Sequence, residues 1–320
     1  MSKPENINRR KFIEMGVGLG MGLGMQWTGA LAAGLIFPGS VNAALTSIRK
    51  AIPKTGELLP VIGMGTSRTF NASGDADLLA RLQQVTQTFF DLGGGMIDSS
   101  PMYGSSQKVL GELLPKVKGK KNLFAATKVW VEGKEEGIKQ MEASRQQWGI
   151  QKFDLMQIHN LVDWETHFET LQKMKADGKI RYIGITTSHG RYHSQLSEIL
   201  EKHDFDFVQL TYNIGNRDVE FPLLSIAQEK GIAVIANRPY QRGDLFRHVK
   251  GKPLPAWAHE FNCTSWGQFF LKYVVSHPAI TCAIPATTKV KHLEDNMLAG
   301  ISVLPTPKQR IQMVKYFESF

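Results

Sequence analysis

The chain has 320 residues, with 38 Lys and Arg against 29 Asp and Glu, which gives a formal net charge of +9. The charges are scattered along the sequence, and the two cysteines, Cys263 and Cys282, do not have the spacing of a metal or redox motif. The composition therefore argues against a nucleic-acid-binding protein and a cysteine-based metal site, and we expect neither partner. Both cysteines are expected to be buried thiols, although export to an oxidising compartment would permit a bridge.

The first 43 residues have the composition of an export signal. Arg9 and Arg10 are followed by a weakly apolar, glycine-rich stretch over residues 15–37, and small residues follow that end at Ala43. A basic start, an apolar middle and a small-residue end are typical of a cleaved signal. The paired arginines favour the twin-arginine (Tat) type.

We therefore expect residues 1–43 to be a Tat signal peptide and residues 44–320 to form one domain. The Tat export machinery carries proteins that are already folded, so the expected location is the periplasm. The alternative is an uncleaved segment that anchors the protein, because about 23 mostly apolar residues can span a bilayer.

After this segment, short apolar runs alternate with stretches of helical periodicity. Helical spacing follows the first run, where Leu78, Leu82, Val85 and Phe89 lie on one face. Such alternation in roughly 240 residues is typical of a closed parallel barrel. We predict an α/β fold, namely an eight-stranded parallel β/α (TIM) barrel. The eight candidate strands are residues 59–64, 94–97, 122–127, 153–158, 180–185, 206–210, 232–236 and 280–284.

A doubly wound open sheet is the main alternative to the barrel. That fold usually places a G-x-G-x-x-G turn directly after its first strand. The corresponding segment here, GMGTSR at residues 63–68, has only two glycines and leads into a loop. The closed barrel is therefore favoured.

Four polar residues stand at or just after the ends of three successive candidate strands. Asp98 ends the run GGGMID, Lys128 ends LFAATK, His159 ends FDLMQIH, and Tyr103 lies five residues beyond Asp98. The carboxyl ends of all barrel strands meet at one rim, so we expect these side chains to converge. Each residue alone has an ordinary structural explanation, but their joint placement favours a reactive site.

These residue types suit the reduction of a carbonyl group. A free tyrosine phenol has a pKa of about 10, and a neighbouring lysine ammonium lowers that value. Asp98 would hold Lys128 charged and aimed, and His159 in its neutral form would orient the substrate oxygen. We predict that Tyr103 gives its proton to that oxygen as hydride reaches the carbon.

Four segments together resemble the aldo-keto reductase family over nearly all of the chain that follows the signal. They are GGGMIDSSPMYGSSQKVLGELL, ATK at residues 126–128, DLMQIH at residues 154–159, and IPATTKVKHLEDN near the end. The resemblance implies that Tyr103 is the general acid/base of a tetrad with Asp98, Lys128 and His159. It also implies a nicotinamide dinucleotide that is bound without a Rossmann unit.

The resemblance further implies which residues bind the dinucleotide. Thr186, Thr187 and Gln209 match positions that hold the nicotinamide, and the loop RPYQRGDLF resembles the segment that wraps the pyrophosphate. The last motif matches positions around the 2′-phosphate and the adenine. The implied cofactor residues are Thr186, Thr187, Gln209, Asn237, Arg238, Pro239, Gly243, Leu245, Thr287, Thr288, Lys289, His292, Asp295 and Asn296.

The chain departs from the family pattern at two places in this set. Asn237, followed by Arg238, stands where family members often stack an aromatic ring on the nicotinamide, so stacking is either lost or supplied by Tyr240. His292 replaces one of the usual basic contacts to the 2′-phosphate, and Lys289 lies nearby. A 2′-phosphate needs cationic partners, so we expect NADP, with NAD as the alternative.

The sequence therefore predicts a monomeric NADP(H)-dependent oxidoreductase that reduces a small aldehyde or ketone to an alcohol, or catalyses the reverse reaction. Free nicotinamide cofactors are not expected in the periplasm, so we expect the cofactor to be bound before export. The alternative function is a non-catalytic redox-sensing or partner-binding barrel that retains its dinucleotide. A glycoside-cleaving barrel is disfavoured, because it needs two carboxylates at strand ends and only Asp98 is well placed.

Overall fold

The computed structural model describes residues 47–188 and 190–320. The predicted signal, residues 1–43, and the alternative that it anchors the protein both lie outside these ranges. Within them, no helix combines the length and the apolar character needed to cross a membrane.

The described chain begins with an antiparallel hairpin of β1 (Arg49–Ala51) and β2 (Leu58–Pro60). Ile52 and Leu59 are buried in one apolar cluster with Phe124 and Phe207, which are first residues of two barrel strands. The hairpin therefore fills the amino-terminal end of the barrel. In barrels of this kind the reactive groups lie at the opposite end, the carboxyl-end rim.

Eight parallel strands follow, each hydrogen-bonded to its neighbour in sequence. The ring is closed by a parallel bridge between Ile62 and Ala283, where the Gly63 N–H donates to the Ala283 carbonyl oxygen at 2.9 Å. The predicted TIM barrel is confirmed. Its strands are β3 (Met64–Gly65), β4 (Met96–Asp98), β5 (Phe124–Val129), β6 (Phe153–Ile158), β7 (Ile180–Thr186), β8 (Phe207–Thr211), β9 (Ala233–Asn237) and β10 (Ile280–Ala283).

The first predicted strand, residues 59–64, is wrong as a single element. The structure divides this run between β2, which pairs with β1, and the short strand β3, which pairs with β4. An apolar run shows that a segment is buried, but it does not show which strand the backbone pairs with. The hairpin was therefore missed.

Ten α-helices in the described ranges connect the strands or follow them. The predicted face of the first helix is buried at Leu82, Val85 and Phe89, and the Asp75 carboxylate accepts a hydrogen bond from the Leu78 N–H at 2.8 Å. The helices are α1 (Ala76–Asp91), α2 (Ser106–Leu113), α3 (Lys134–Trp148), α4 (Trp164–Ala176), α5 (His193–Lys202), α6 (Leu223–Glu229), α7 (Asp244–His248), α8 (Trp266–Val275), α9 (Val290–Leu298) and α10 (Pro307–Phe317).

Candidate active site

Asp98 and Lys128 form a buried ion pair at the carboxyl-end rim. Asp98 is the last residue of β4, and Lys128 is the penultimate residue of the neighbouring strand β5. The Lys128 ammonium lies 2.5 Å from Asp98 Oδ2 and also donates to the Ser99 carbonyl oxygen at 2.8 Å. Lys128 is 0 % and Asp98 is 1 % exposed. Such a pair persists in a low-dielectric interior only when its geometry is good and further hydrogen bonds support it.

The second carboxylate oxygen of Asp98 is held by two amides. Gln157 Nε2 and Gln209 Nε2 each donate to Asp98 Oδ1 at 2.9 Å, and Gln209 Nε2 also lies 3.2 Å from Gln157 Oε1. Gln209 was expected to contact the nicotinamide, and its amide nitrogen is engaged here by Asp98. Gln157 was not singled out from the sequence. The sequence does contain a signal for Gln157, because it is a polar residue in the otherwise apolar end of the run FDLMQIH.

Tyr103 lies beside this ion pair, in the loop after β4. The Lys128 ammonium is 5.3 Å from the centroid of the Tyr103 ring, and the Tyr103 and His159 rings meet edge to face at 6.0 Å. Burial raises the pKa of Tyr103, while the nearby charge of Lys128 opposes that change. Lys128 therefore acts on the pKa of Tyr103 in the expected direction, but desolvation of the phenolate outweighs its attraction to the lysine and the net change is upward.

His159 directly follows β6 and is held in its neutral form. Burial, and secondarily the charge of Lys128, lower the pKa of His159 to about 2. Its Nδ1 lies 3.0 Å from the hydroxyl of Ser100, a residue that the sequence reasoning missed. The Ser100 oxygen also accepts from the Met102 N–H at 3.4 Å, and its own proton is free to be donated to Nδ1. We assign the imidazole proton to Nε2, where it can donate to a substrate oxygen.

The ends of β7, β8 and β9 carry the predicted nicotinamide residues. Thr186 Oγ1 accepts from the Asn160 N–H at 3.1 Å, and both threonines, Thr186 and Thr187, are buried. Asn237 accepts a hydrogen bond from the Thr211 hydroxyl at 2.7 Å and donates to the Thr187 carbonyl oxygen at 3.4 Å. These contacts lock the Asn237 amide between β8 and the loop after β7.

The predicted pyrophosphate loop, residues 238–245, is bent by residues with positive φ. Arg238 has φ 49°, Arg242 has φ 57° and Gly243 has φ 97°, while Pro239 and Leu245 are buried below them. Residues in this conformation are uncommon outside glycine and gather in functional loops.

Tyr240 belongs to the same loop and packs against the helices that follow it. Its ring contacts Phe246 and Phe270, with centroid distances of 5.0 and 6.5 Å, and its hydroxyl donates to Asn296 Oδ1 at 2.5 Å. These contacts do not support the alternative in which Tyr240 replaces the missing aromatic on the nicotinamide. The apolar environment of α7 and α8 holds the ring instead.

The last motif surrounds the start of α9. Thr287 is buried, Thr288 is half-buried, and Lys289 and His292 are exposed. Lys289 and His292 form no ion pair with any described carboxylate. Asp295 accepts hydrogen bonds from the Ser265 hydroxyl at 2.6 Å and the Gln268 amide at 2.8 Å, and Asn296 accepts from Tyr240, as described above.

The residues along this rim fit a dinucleotide. The guanidinium groups of Arg68, Arg238 and Arg242 have no hydrogen-bond or ion-pair partner among the described residues, and the same holds for the ammonium of Lys289. Unpartnered cations around a strained loop and a helix start suit the phosphates of such a ligand. Thr186, Thr187 and Gln209 would hold its nicotinamide end. Among the described residues, no group of three His, Cys, Asp or Glu residues could hold a metal ion.

Comparison with known proteins settles the family. The model of the aldo/keto reductase family matches residues 61–317. The chain belongs to the aldo/keto reductase family. The methylglyoxal reductase YeaE of Escherichia coli (strain K12) is 27% identical over 255 residues, which cover 78% of this chain and 88% of that protein. Members of this family are oxidoreductases, and the chain is assigned to this class of enzymes.

Solved structures of other proteins share the fold of this chain. An aldo/keto reductase from Klebsiella pneumoniae, in complex with NADP and acetate, superimposes with a TM-score of 0.71 at 20% identity over 84% of this chain and 95% of that chain. The glycerol dehydrogenase of Gluconobacter oxydans superimposes with a TM-score of 0.69 at 19% identity over 85% and 95% of the two chains.

Proposed function

We propose that this chain is an NADP(H)-dependent oxidoreductase that reduces an aldehyde or ketone to an alcohol, or catalyses the reverse, with Tyr103 as the general acid/base. The observation that carries the proposal is the buried Lys128–Asp98 pair, which places an ammonium 5.3 Å from the Tyr103 ring. A cation beside a phenol stabilises the phenolate that proton donation leaves behind.

Each residue of the site has a distinct task in this reaction. When bound, the reduced dinucleotide supplies hydride to the carbonyl carbon. Tyr103 transfers its phenolic proton to the carbonyl oxygen, and Lys128 stabilises the resulting phenolate. His159 donates from Nε2 to the same oxygen and orients it. Asp98 keeps Lys128 charged and fixed in place.

NADP is the proposed cofactor. Relatives with the same fold include one that was solved in complex with NADP and one in complex with NADPH. In this chain, Lys289, Lys291 and His292 stand around the first turn of α9, where the 2′-phosphate is expected. Burial and then the charge of Lys289 lower the pKa of His292, so at neutral pH the lysines carry the positive charge.

The test is turnover of the purified full-length chain with NADPH and a panel of small aldehydes and ketones, and with NADP⁺ and the matching alcohols. We expect saturable consumption of NADPH with at least one carbonyl class. Tight binding of NADPH without turnover in either direction contradicts the enzymatic proposal and supports the redox-sensing alternative.

We also propose that the protein is exported after folding, with its dinucleotide already bound. The support is the Arg9-Arg10 pair before the glycine-rich apolar stretch. The chain should be produced in a bacterium with a Tat pathway, both as wild type and with Arg9→Lys and Arg10→Lys combined, and the cell fractions compared. We expect the wild type in the periplasm with NADP in its released nucleotide, and the variant in the cytoplasm. Equal distribution of both forms, or an empty periplasmic form, contradicts this proposal.

A further inference from the structure

The loop that follows β5 is held by side chains from two helices. Trp130 is its first residue, two residues beyond Lys128, and Gly133 ends it just before α3. Gln140, in the second turn of α3, binds the backbone of Trp130 twice. Its Oε1 accepts from the Trp130 N–H at 2.6 Å, and its Nε2 donates to the Trp130 carbonyl oxygen at 3.1 Å. One side-chain amide thus fixes the backbone on both sides of the Trp130 Cα.

The start of α4 holds the rest of this loop. His167, which is 0 % exposed, donates from Nε2 to the Val131 carbonyl oxygen at 2.6 Å. Asp163, which directly precedes α4, accepts from the Gly133 N–H at 2.8 Å. Gly137 of α3 makes room for the imidazole, because a Cβ there would lie 2.4 Å from His167 Cε1. The loop is therefore hydrogen-bonded to side chains of both α3 and α4, and its backbone is fixed by the fold.

The loop carries a large apolar side chain that stays exposed at the carboxyl-end rim. Trp130 is 41 % exposed, and its ring centroid lies 6.4 Å from that of His159, with an angle of 56° between the two planes. The His159 ring in turn meets the Tyr103 ring at 6.0 Å. Trp130 thus stands beside the residues that are proposed to contact the carbonyl oxygen. Misplacement of such a positioning contact by about 1 Å can cost about a hundredfold in rate, so the hold on this loop bears on turnover.

We propose that Gln140 is a positioning residue of the candidate active site, which fixes Trp130 beside His159 so that the indole is a rigid wall for the apolar part of a carbonyl substrate. Both hydrogen bonds of Gln140 go to the Trp130 backbone, so they set where the indole starts without covering its ring. A wall that is ordered before binding loses less conformational entropy than one that the substrate must order. This inference rests on the proposed function and adds a specificity-determining device to it.

Two other roles of Gln140 predict different results. A purely structural role would lower the free energy of unfolding without changing the preference among substrates. A role through Lys128, which lies two residues before Trp130, would lower turnover of every carbonyl substrate whether or not the indole is present. A double-variant cycle of Gln140→Leu with Trp130→Ala separates the three roles, because residues that act through one another have effects that do not add.

The test measures kcat/KM of the full-length chain with NADPH on two aldehydes. One is 2-naphthaldehyde, which has a large planar apolar group, and the other is propanal, which has none. Trp130→Ala should lose roughly thirtyfold on 2-naphthaldehyde, because the contact with the indole is removed. Gln140→Leu should lose roughly tenfold on 2-naphthaldehyde and less than about threefold on propanal. In the Trp130→Ala background, Gln140→Leu should cost less than about twofold on either aldehyde.

Gln146→Leu is the matched control. Gln146 is an exposed glutamine of the same helix, and its amide donates to Glu142 Oε1 at 3.0 Å. Its replacement should leave both kcat/KM values within about twofold of wild type. The proposal is overturned if Gln140→Leu leaves kcat/KM on 2-naphthaldehyde unchanged, or lowers it equally on both aldehydes. It is also overturned if the loss is as large in the Trp130→Ala background as in the wild type.

Failure of the proposed function has a different signature, which is no turnover of either aldehyde by the wild type. The position of Trp130 is then read from fluorine NMR spectra of the chain labelled with fluorotryptophan, in which Trp130→Phe identifies the Trp130 resonance. Gln140→Leu should shift or broaden that resonance, whereas Gln146→Leu should leave it in place. An unchanged Trp130 resonance in Gln140→Leu overturns the proposal independently of any activity.

Discussion

Gln157 Nε2 donates a hydrogen bond to Asp98 Oδ1 at 2.9 Å, whereas the Lys128 ammonium contacts the other carboxylate oxygen, Oδ2. The carboxylate of Asp98 is thus held from both sides, by a cation on one oxygen and by the amides of Gln157 and Gln209 on the other. Because Lys128 is aimed by Asp98, the two glutamines indirectly fix the position of the charge beside Tyr103.

Replacement of Gln157 by Leu should therefore impair both folding and turnover. A hydrogen bond to a charged acceptor contributes about 1.5–3 kcal/mol, so we expect the free energy of unfolding to fall by about 2 kcal/mol. The value of kcat/KM should fall roughly tenfold, because Lys128 is then held less firmly. Denaturant unfolding and steady-state kinetics measure the two effects.

Gln107→Leu is the matched control for this variant. Gln107 is a buried glutamine on α2, and it accepts hydrogen bonds from the Thr127 hydroxyl at 2.7 Å and from the Trp148 indole at 3.2 Å. Its loss should destabilise the fold to a similar degree and leave kcat/KM within about threefold of the wild type. Equal kinetic losses in the two variants would show that Gln157 acts through general stability alone.

The Lys128–Asp98 pair should separate stability from catalysis in a double-variant experiment. Lys128→Met leaves a buried carboxylate without its cation, and we expect a loss of about 3–5 kcal/mol in the free energy of unfolding. Adding Asp98→Asn removes the orphaned charge and should recover most of that stability. Turnover should stay at least about a hundredfold below wild type in both variants, because the phenolate has no stabilising charge. Recovery of turnover in the double variant contradicts the assigned role of Lys128.

The pH dependence of activity should show no step from His159. Its pKa is lowered to about 2, so the imidazole stays neutral throughout the usual working range. The pKa of Tyr103 is raised by burial, so the phenol keeps the proton that reduction requires even in mildly alkaline solution. We expect kcat for reduction to be flat from about pH 6 to about pH 9. A fall in kcat below about pH 6.5 that disappears in His159→Gln would contradict this description.

The lowered pKa of His159 also makes the fold less stable in acid. The pKa of His159 in the folded chain lies below its unfolded value of about 6.5. The contribution of the neutral imidazole to the free energy of unfolding is therefore fully present above pH 6.5, and it is lost as the pH falls towards 2. The expected slope is about 1.4 kcal/mol per pH unit for this one group. His159→Gln should therefore lose stability less steeply than wild type between pH 6 and pH 4 in urea unfolding experiments. His277, whose pKa burial lowers to about 4, and His292, whose pKa burial also lowers, contribute to the slope that remains.

Selectivity for NADPH should depend on the start of α9. Lys289→Gln removes a cation at the expected 2′-phosphate position, and we expect the dissociation constant of NADPH to rise roughly tenfold while that of NADH stays within about twofold. Lys308→Gln, at an exposed lysine in the first turn of α10, is the control and should change neither constant. An equal loss of affinity for NADPH and NADH in Lys289→Gln would show that Lys289 contacts a part of the cofactor that both nucleotides share.

The sequence predicted the parts of this structure that depend on local pattern. The run 153–158 coincides with β6, and Asp98, Lys128 and His159 lie at strand ends because periodicity shows where a buried strand stops. The hairpin of β1 and β2, the Gln157–Asp98 contact and the packing of the Tyr240 ring were not predicted. Each of these depends on which distant segments meet, and on side-chain rotamers that follow from packing. The raised pKa of Tyr103 likewise depends on the depth of burial in the folded barrel.

The most direct test of the account is Tyr103→Phe, measured for NADPH binding and for turnover on one preparation. The phenol is the proposed proton donor, and the Lys128 ammonium lies 5.3 Å from the centroid of its ring. We expect the variant to bind NADPH within about threefold of wild type and to lose at least about a thousandfold in kcat for carbonyl reduction. Turnover within about tenfold of wild type, with the affinity for NADPH unchanged, would show that another group donates the proton.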